Sequence, residues 1–153
     1  MFSLQGVKHQ SLVSPRTCAT NATITSINID TSGFSELQIC VMRESNAATN
    51  AGFSALTIQQ SDDTVATNFA TVSGLVAGTD YTVTAAIGGA NSSVTNVAFV
   101  ANVDLRGKKR YFRVLLTPAT ASASVAAHVI LARGAQSALD SAAGAAQFVQ
   151  QPD

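Results

Sequence analysis

Apolar and polar residues alternate with a period of two along most of the chain between residues 22 and 133. In the segment 34–43, Leu37, Ile39 and Val41 fall on one side, and the residues between them fall on the other. This alternation is typical of a β-strand with one buried face, and Gly, Asn, Asp and Ser recur between the alternating segments as turn residues do. The chain is therefore predicted to be built from short strands.

The pattern predicts eight strands, over residues 22–29, 34–43, 53–60, 68–72, 81–86, 97–105, 111–117 and 125–131. No segment with helical periodicity lies between them, although parallel strands need long crossover connections that are usually helical. The expected fold is therefore all-β, an antiparallel β-sandwich with jelly-roll or related Greek-key topology.

The two ends of the chain differ from this pattern and are predicted to be arms. Residues 1–21 form an expected N-terminal arm, residues 22–133 the sandwich domain, and residues 134–153 a flexible C-terminal arm. The C-terminal arm is rich in Ala, Gly, Gln and Ser, and is expected to be either loosely helical over 137–148 or extended against a neighbour. Its apolar Phe148 and Val149 are the expected docking residues.

The composition limits the classes of function. With 46% hydrophobic and 12% charged residues and a net charge of zero, the chain is neither disordered-like nor suited to coating nucleic acid or an anionic membrane. Polar residues interrupt the longest uncharged stretch, 114–132, and residues 1–16 lack the apolar segment of a secretory signal. Two cysteines are too few for a disulfide framework. The protein is expected to be made in a cytosol, with no membrane partner.

Catalytic candidates are few. Asp62 and Asp63 are adjacent, so an extended chain points them to opposite sides, as expected of a solvated turn. His9 and His128 have no metal-ligand spacing to another His or Cys. Phosphate-binding glycine loops and the nucleophile-elbow pattern are also absent from the sequence. We therefore expect no enzymatic activity, no metal site and no cofactor.

One cluster of charge does stand out near the end of the sixth predicted strand. Five of the nine basic residues lie within eight positions, around Gly107, and Tyr111 lies among them: Arg106, Lys108, Lys109, Arg110 and Arg113. Three interpretations remain open: a hairpin turn that keeps its charges in water, a nucleic-acid patch in which Tyr111 stacks on a base, and a protein interface in which guanidinium groups meet carboxylates. The neutral chain and the missing second aromatic platform disfavour nucleic acid.

Two segments resemble a known family. They are 56–63, with the sequence LTIQQSDD, and 103–114, with the sequence VDLRGKKRYFRV. Together they resemble small β-sandwich virion proteins of tailed bacteriophages, the head decoration or cement proteins on the outside of the capsid. The resemblance spans residues 30–133 and leaves both arms outside it.

The resemblance implies a non-enzymatic protein that clamps neighbouring major capsid subunits against the pressure of packaged DNA. It implies the major capsid protein and sister subunits as partners, a homooligomer in which a trimer is favoured and a dimer is the alternative, and a location on the capsid surface. The expected contact residues are in the basic cluster and the C-terminal arm: Arg106, Lys108, Lys109, Arg110, Tyr111, Arg113, Phe148 and Val149. The alternatives are a phage tail or fibre component and a carbohydrate- or receptor-binding β-sandwich module; sugar sites usually expose aromatic platforms, and this chain has no Trp and two Tyr.

Overall fold

The structure is a computed structural model that describes residues 6–43, 53–77, 79–81, 97–118, 122–133 and 147–150. These residues contain ten strands and a short 3₁₀ turn at Ala66–Asn68, and none of them is in an α-helix. The strands in chain order are β1 (Val7–Cys18), β2 (Ile24–Thr25), β3 (Ile29–Asp30), β4 (Glu36–Arg43), β5 (Phe53–Ser61), β6 (Ala70–Thr71), β7 (Val97–Asp104), β8 (Tyr111–Pro118), β9 (Ala123–Ala132) and β10 (Gln147–Gln150).

The strands form two sheets that pack face to face. Sheet A has the order β1-β9-β4-β7-β10, and sheet B has the order β2-β8-β5-β6, with β3 beside β8 as well. The predicted antiparallel β-sandwich is confirmed. Within the described strands, the exception to antiparallel pairing is β10, which runs parallel to β7.

The core lies between the inner faces of the two sheets. Alternate residues of β4 and β9 are buried along their whole length, as the period of two predicts. Ile39 of sheet A and Ile58 of sheet B are both fully buried, as are Phe99 and Phe112 from the same two sheets. Leu37 and Val41 are also buried, so the inward positions predicted for β4 are confirmed. Burying these apolar side chains is the main favourable contribution to folding.

The structure differs from the prediction at the N-terminus. Residues 7–18 of the expected arm form β1, which pairs with β9 along sheet A. The register shifts on both sides of Val13, and the consecutive residues Leu12 and Val13 are both buried. Bulges of this kind break the period of two and hide an edge strand from pattern analysis. The single strand expected over 22–29 is likewise replaced by β2 and β3, which pair with different parts of β8.

Parts of two other predictions lie outside the described residues. Only Tyr81 of the strand expected over 81–86 is described, and it is packed against the core. Of the C-terminal arm, residues 147–150 are described, and they form β10 beside β7. The backbone at Phe148 is therefore extended, although the prediction also allowed a helix there.

None of the described residues belongs to a helix long and apolar enough to cross a membrane.

Candidate interaction surface at the charged end

The sandwich concentrates its charge at one end, called the charged end below, formed by the turns at 30–35, 61–65 and 105–110. β4 and β8 begin at this end, and β5, β7 and β9 finish there. Within the described ranges, the charged residues at this end are Lys8, Asp30, Glu36, Asp62, Asp63, Asp104, Arg106, Lys108, Lys109, Arg110 and Arg133. They are six bases and five acids, so the charged end is nearly neutral. The described residues of the opposite end include the exposed Arg16 and the buried Arg43.

The turn 105–110 carries most of the bases and joins the two sheets. It follows β7 of sheet A and leads into β8 of sheet B, so the interpretation as a hairpin turn is wrong. β7 pairs with β4 in sheet A, and β8 pairs with β5 in sheet B, so the two strands do not pair with each other. The Leu105 N–H donates to the Ser35 carbonyl at 2.9 Å, and the Lys108 N–H donates to the Leu105 carbonyl at 3.1 Å. Gly107 has φ of +71°, a left-handed conformation that favours glycine.

Three carboxylates neutralise three of the predicted contact bases. Arg110 makes a two-pronged contact with Asp30, with Nε 3.0 Å from Oδ1 and Nη2 2.7 Å from Oδ2. The ammonium of Lys109 lies 2.9 Å from Oδ2 of Asp62. Arg106 pairs with Asp104, whose Oδ1 also accepts the Arg106 N–H at 2.9 Å. Each pair places a base beside a carboxylate on a surface that remains open to solvent.

The pKa values of the carboxylates follow these contacts. The hydrogen bond from Arg110 is the main cause that lowers the pKa of Asp30 to about 2, with help from the Ser32 N–H. The hydrogen bond from Arg106 likewise lowers the pKa of Asp104. Burial and the nearby charge of Asp104 raise the pKa of Glu36. At neutral pH the charged end therefore presents ionised Asp30 and Asp104 beside protonated arginines.

The bases of these pairs remain exposed to solvent. The side chains of Arg106, Lys109 and Arg110 are 81%, 43% and 54% exposed. A two-pronged contact with one carboxylate uses two of the five N–H donors of a guanidinium group. Arg110 also lies over the ring of Tyr111, 5.1 Å from its centroid, and Tyr111 is half-buried. Lys108 is half-buried in the same turn.

Arg113 has a different place from the other predicted contact residues. It lies within β8, where Nε donates to Oε1 of Gln59 at 2.8 Å and Nη2 donates to the Ala66 carbonyl at 3.1 Å. Its guanidinium carbon lies 4.1 Å from the ring centroid of Phe69. Arg113 thus fastens the 3₁₀ turn and the residue after it to sheet B. The structure brings Arg106, Lys108, Lys109, Arg110 and Tyr111 together in and beside one turn and assigns Arg113 these internal contacts.

Phe148 and Val149 lie apart from the turn 105–110, in β10 at the edge of sheet A. In the backbone pairing, Phe148 is opposite Val100 and Val149 is opposite Ala101 in the middle of β7. The turn 105–110 follows the end of the same strand. The predicted contact residues therefore form two separate sets. One follows β7 along the chain, and the other pairs with β7 in the sheet.

The catalytic candidates occupy ordinary structural positions. Oδ1 of Asp63 accepts the Val65 N–H at 2.9 Å, and Oδ2 accepts a hydrogen bond from the Asn68 amide at 2.7 Å, so this carboxylate closes its own turn. His9 is exposed on β1, and burial lowers the pKa of the half-buried His128 on β9. Within the described ranges, no three His, Cys, Asp or Glu residues are grouped so as to hold a metal ion.

The acidic partners of the basic turn are the feature that sequence reasoning missed. Asp62 follows β5 and Asp30 ends β3, and both strands pair with β8, which begins directly after the basic turn. Their proximity follows from strand pairing between distant segments, which the period of two does not specify. The alternating pattern identifies strands but not their neighbours.

Comparison with known proteins finds no family model and no curated protein that matches the chain.

Proposed function

We propose that this chain is a structural virion protein that binds the outside of a bacteriophage capsid and stabilises it by clamping neighbouring major capsid subunits. Its site of action is the capsid surface, after synthesis in the host cytoplasm. It acts without catalysis or a cofactor, as an oligomer with a trimer favoured over a dimer.

One observation carries the proposal: the two segments that resemble capsid decoration proteins are neighbours in space. In β5 and β8, Ile58 pairs with Val114 and Ser61 pairs with Tyr111. Just beyond the strands, Lys109 forms the ion pair with Asp62, and its N–H donates to Oε1 of Gln60 at 3.1 Å. Segments about 40 residues apart in the chain therefore form one continuous surface. This supports the view that the resemblance marks one shared feature rather than two unrelated short matches.

The charge of this surface fits a protein partner better than nucleic acid. Each of Arg106, Lys109 and Arg110 is already paired with a carboxylate, so the turn offers little of the unbalanced positive charge that binds phosphates. Arginine and aromatic side chains, such as Arg110 and Tyr111 here, are enriched at protein interfaces. A sugar site is also disfavoured, because the chain has no Trp and one of its two tyrosines, Tyr81, packs against the core.

The mechanism of stabilisation is mass action. A protein that binds the assembled shell, and not its separated subunits, stabilises the shell by its binding free energy at each site. Many weak sites are sufficient, because their contributions add over the whole particle.

The test is cosedimentation of the purified protein with empty, expanded capsids of the phage that carries this chain. We expect saturable binding at a fixed ratio to the major capsid subunit, and capsids without the protein should lose heat resistance. The absence of saturable binding would refute the proposal. The copy number in intact particles separates the alternatives, since hundreds of copies indicate the shell and a handful indicate a tail or fibre.

The contact residues are tested in the same assay with a matched control. The triple variant Arg106→Ala/Lys109→Ala/Arg110→Ala should bind capsids at least about tenfold more weakly, the effect of roughly 1.4 kcal/mol. Arg16→Ala removes an exposed base at the opposite end and should bind normally. Thermal unfolding of each variant shows whether the fold is intact. Equal binding by the triple variant and the control would remove the charged end from the interface.

A further inference from the structure

Strand β10 lies at the edge of sheet A and is attached by a short parallel ladder. It pairs with β7 over four residues, Gln147–Gln150 opposite Phe99–Asn102. Parallel pairing is slightly weaker per residue than antiparallel pairing, and a ladder of four residues is at the short end of the usual range. β10 is therefore held to its own chain by few backbone hydrogen bonds.

The connection to β10 is long enough to reach more than one position. β9 ends at Ala132, level with Glu36, whereas β10 begins at Gln147, level with Phe99 and Val41. These positions are three strand spacings and five residues apart, about 22 Å from strand geometry. The 14 residues from 133 to 146 can span up to about 46 Å when extended. The connection can therefore extend to about twice the distance that β10 needs to reach its own β7.

β10 covers an edge of β7 that favours pairing with a strand. Nothing in the sequence of this edge favours β10 of its own chain over β10 of another copy. β7 has eight residues, and its first seven, 97–103, include no charged residue and no proline. An uncovered edge of this kind exposes N–H and C=O groups that pair readily with another strand. Residues 147–150 are also uncharged, so no repulsion opposes the same ladder between two chains. Exchange of an identical element is a low-cost route to association because the contacts in the ladder are unchanged.

We propose that β7 of each copy accepts residues 147–150 of a neighbouring copy, so that subunits are joined by exchange of β10. The inference rests on the self-association included in the proposed function and identifies the surface that carries it. In this arrangement, Phe148 and Val149 bind the sister subunit rather than the capsid.

The exchange is tested by a disulfide that can form only between chains. Two versions of the full chain carry Cys18→Ala and Cys40→Ser to remove the native thiols; one also carries Val100→Cys and the other Phe148→Cys. These two positions are opposite each other in the ladder. The versions are refolded together from urea in a glutathione buffer and run on a non-reducing gel. We expect a disulfide-linked heterodimer well above the dimer formed by either version alone.

The third sample places both new cysteines in one chain. If this chain forms its internal disulfide while the mixture gives no heterodimer, β10 stays on its own subunit and the proposal is overturned.

A second measurement does not depend on disulfide geometry. Adjacent residues of a strand point their N–H groups to opposite sides, so either Phe148 or Val149 directs its N–H towards β7. Proline lacks an N–H, and the double variant Phe148→Pro/Val149→Pro therefore removes this donor from the ladder. Light scattering should show an oligomer for the wild type, a monomer for this variant, and an oligomer for the control Phe148→Ala/Val149→Ala. A monomeric wild type at all concentrations up to about 100 μM, roughly −5.5 kcal/mol of association, would also overturn the exchange. A heterodimer without capsid binding would leave the exchange intact and refute only the capsid role.

Discussion

Replacing Arg113 tests whether this arginine is an internal clamp rather than a contact residue. Arg113→Ala removes two charged hydrogen bonds, to Gln59 and to the Ala66 carbonyl, and the contact with the Phe69 ring. Charged hydrogen bonds contribute about 1.5–3 kcal/mol each and cation–π contacts about 0.5–2 kcal/mol, with the low ends applying where water can replace the lost partner. Arg113 is half-buried, so water replaces part of each lost contact, and the total loss should fall below the low-end sum of about 3.5 kcal/mol, at about 2 kcal/mol.

Arg113→Lys separates the charge from the shape of the side chain. Lysine keeps the positive charge but lacks the planar fork that reaches two acceptors and stacks on a ring. We expect a loss of about 1 kcal/mol, half that of the alanine variant. For a domain of this size, these losses correspond to melting temperatures lower by about 2–4 °C for Lys and about 4–8 °C for Ala.

The assay is urea unfolding followed by far-ultraviolet circular dichroism, because the chain has no Trp to report by fluorescence. Arg106→Ala is the matched control from the same basic cluster. Its side chain is 81% exposed and pairs with a carboxylate two residues away, so the change should be within about 0.5 kcal/mol. Limited proteolysis should also cut the turn near Ala66 faster in Arg113→Ala. Equal destabilisation by Arg113→Ala and Arg106→Ala, or full stability of Arg113→Lys, would refute the clamp.

Three further changes test the turn, the ion pair and the buried phenol. Gly107→Ala places a side chain at φ of +71° and should lower the free energy of unfolding by about 1 kcal/mol in a urea titration. The pKa of Asp30 is lowered to about 2 from its usual 3.8, so its stabilising contribution is present above pH 4 and lost as pH falls towards 2; Asp30→Asn should flatten this part of the pH–stability curve, and an unchanged curve would contradict the pairing with Arg110. Burial, with a smaller effect of Asp80, raises the pKa of Tyr81 to about 12, so stability should fall as pH rises from 10 to 12; absorbance at 295 nm should show a late-titrating tyrosine that Tyr81→Phe removes.

The strands of the central sheets could be predicted because they obey a local rule. β4 alternates buried and partly exposed residues from Glu36 to Met42, and the sequence shows the same alternation. β1 was missed because it is an edge strand whose bulges place Leu12 and Val13 side by side in the core. The pattern also gave no reason to expect Arg43 on the buried face at the end of β4, where its exposure is 2%.

The candidate surface could be predicted only in part. The basic turn is visible in the sequence because its residues are consecutive, but its neutralisation by Asp30 and Asp62 depends on which strands flank β8. That choice is made by the packing of the whole sandwich, through contacts between residues far apart in the chain. Arg113 shows the same limit, because it lies in the basic cluster along the chain but contacts the 3₁₀ turn at Ala66–Asn68 in the fold.

The turn 105–110, which crosses from sheet A to sheet B, also determines how the fold would carry a mechanical load. β7 has a neighbour on each side in sheet A, and β8 has neighbours on each side in sheet B. A pull on the turn acts along both strands at once, so their interstrand hydrogen bonds are loaded in shear and resist together. The same force applied across β10 would peel four residue pairs one after another. The fold therefore resists force applied at the charged end more strongly than force applied at the edge of sheet A.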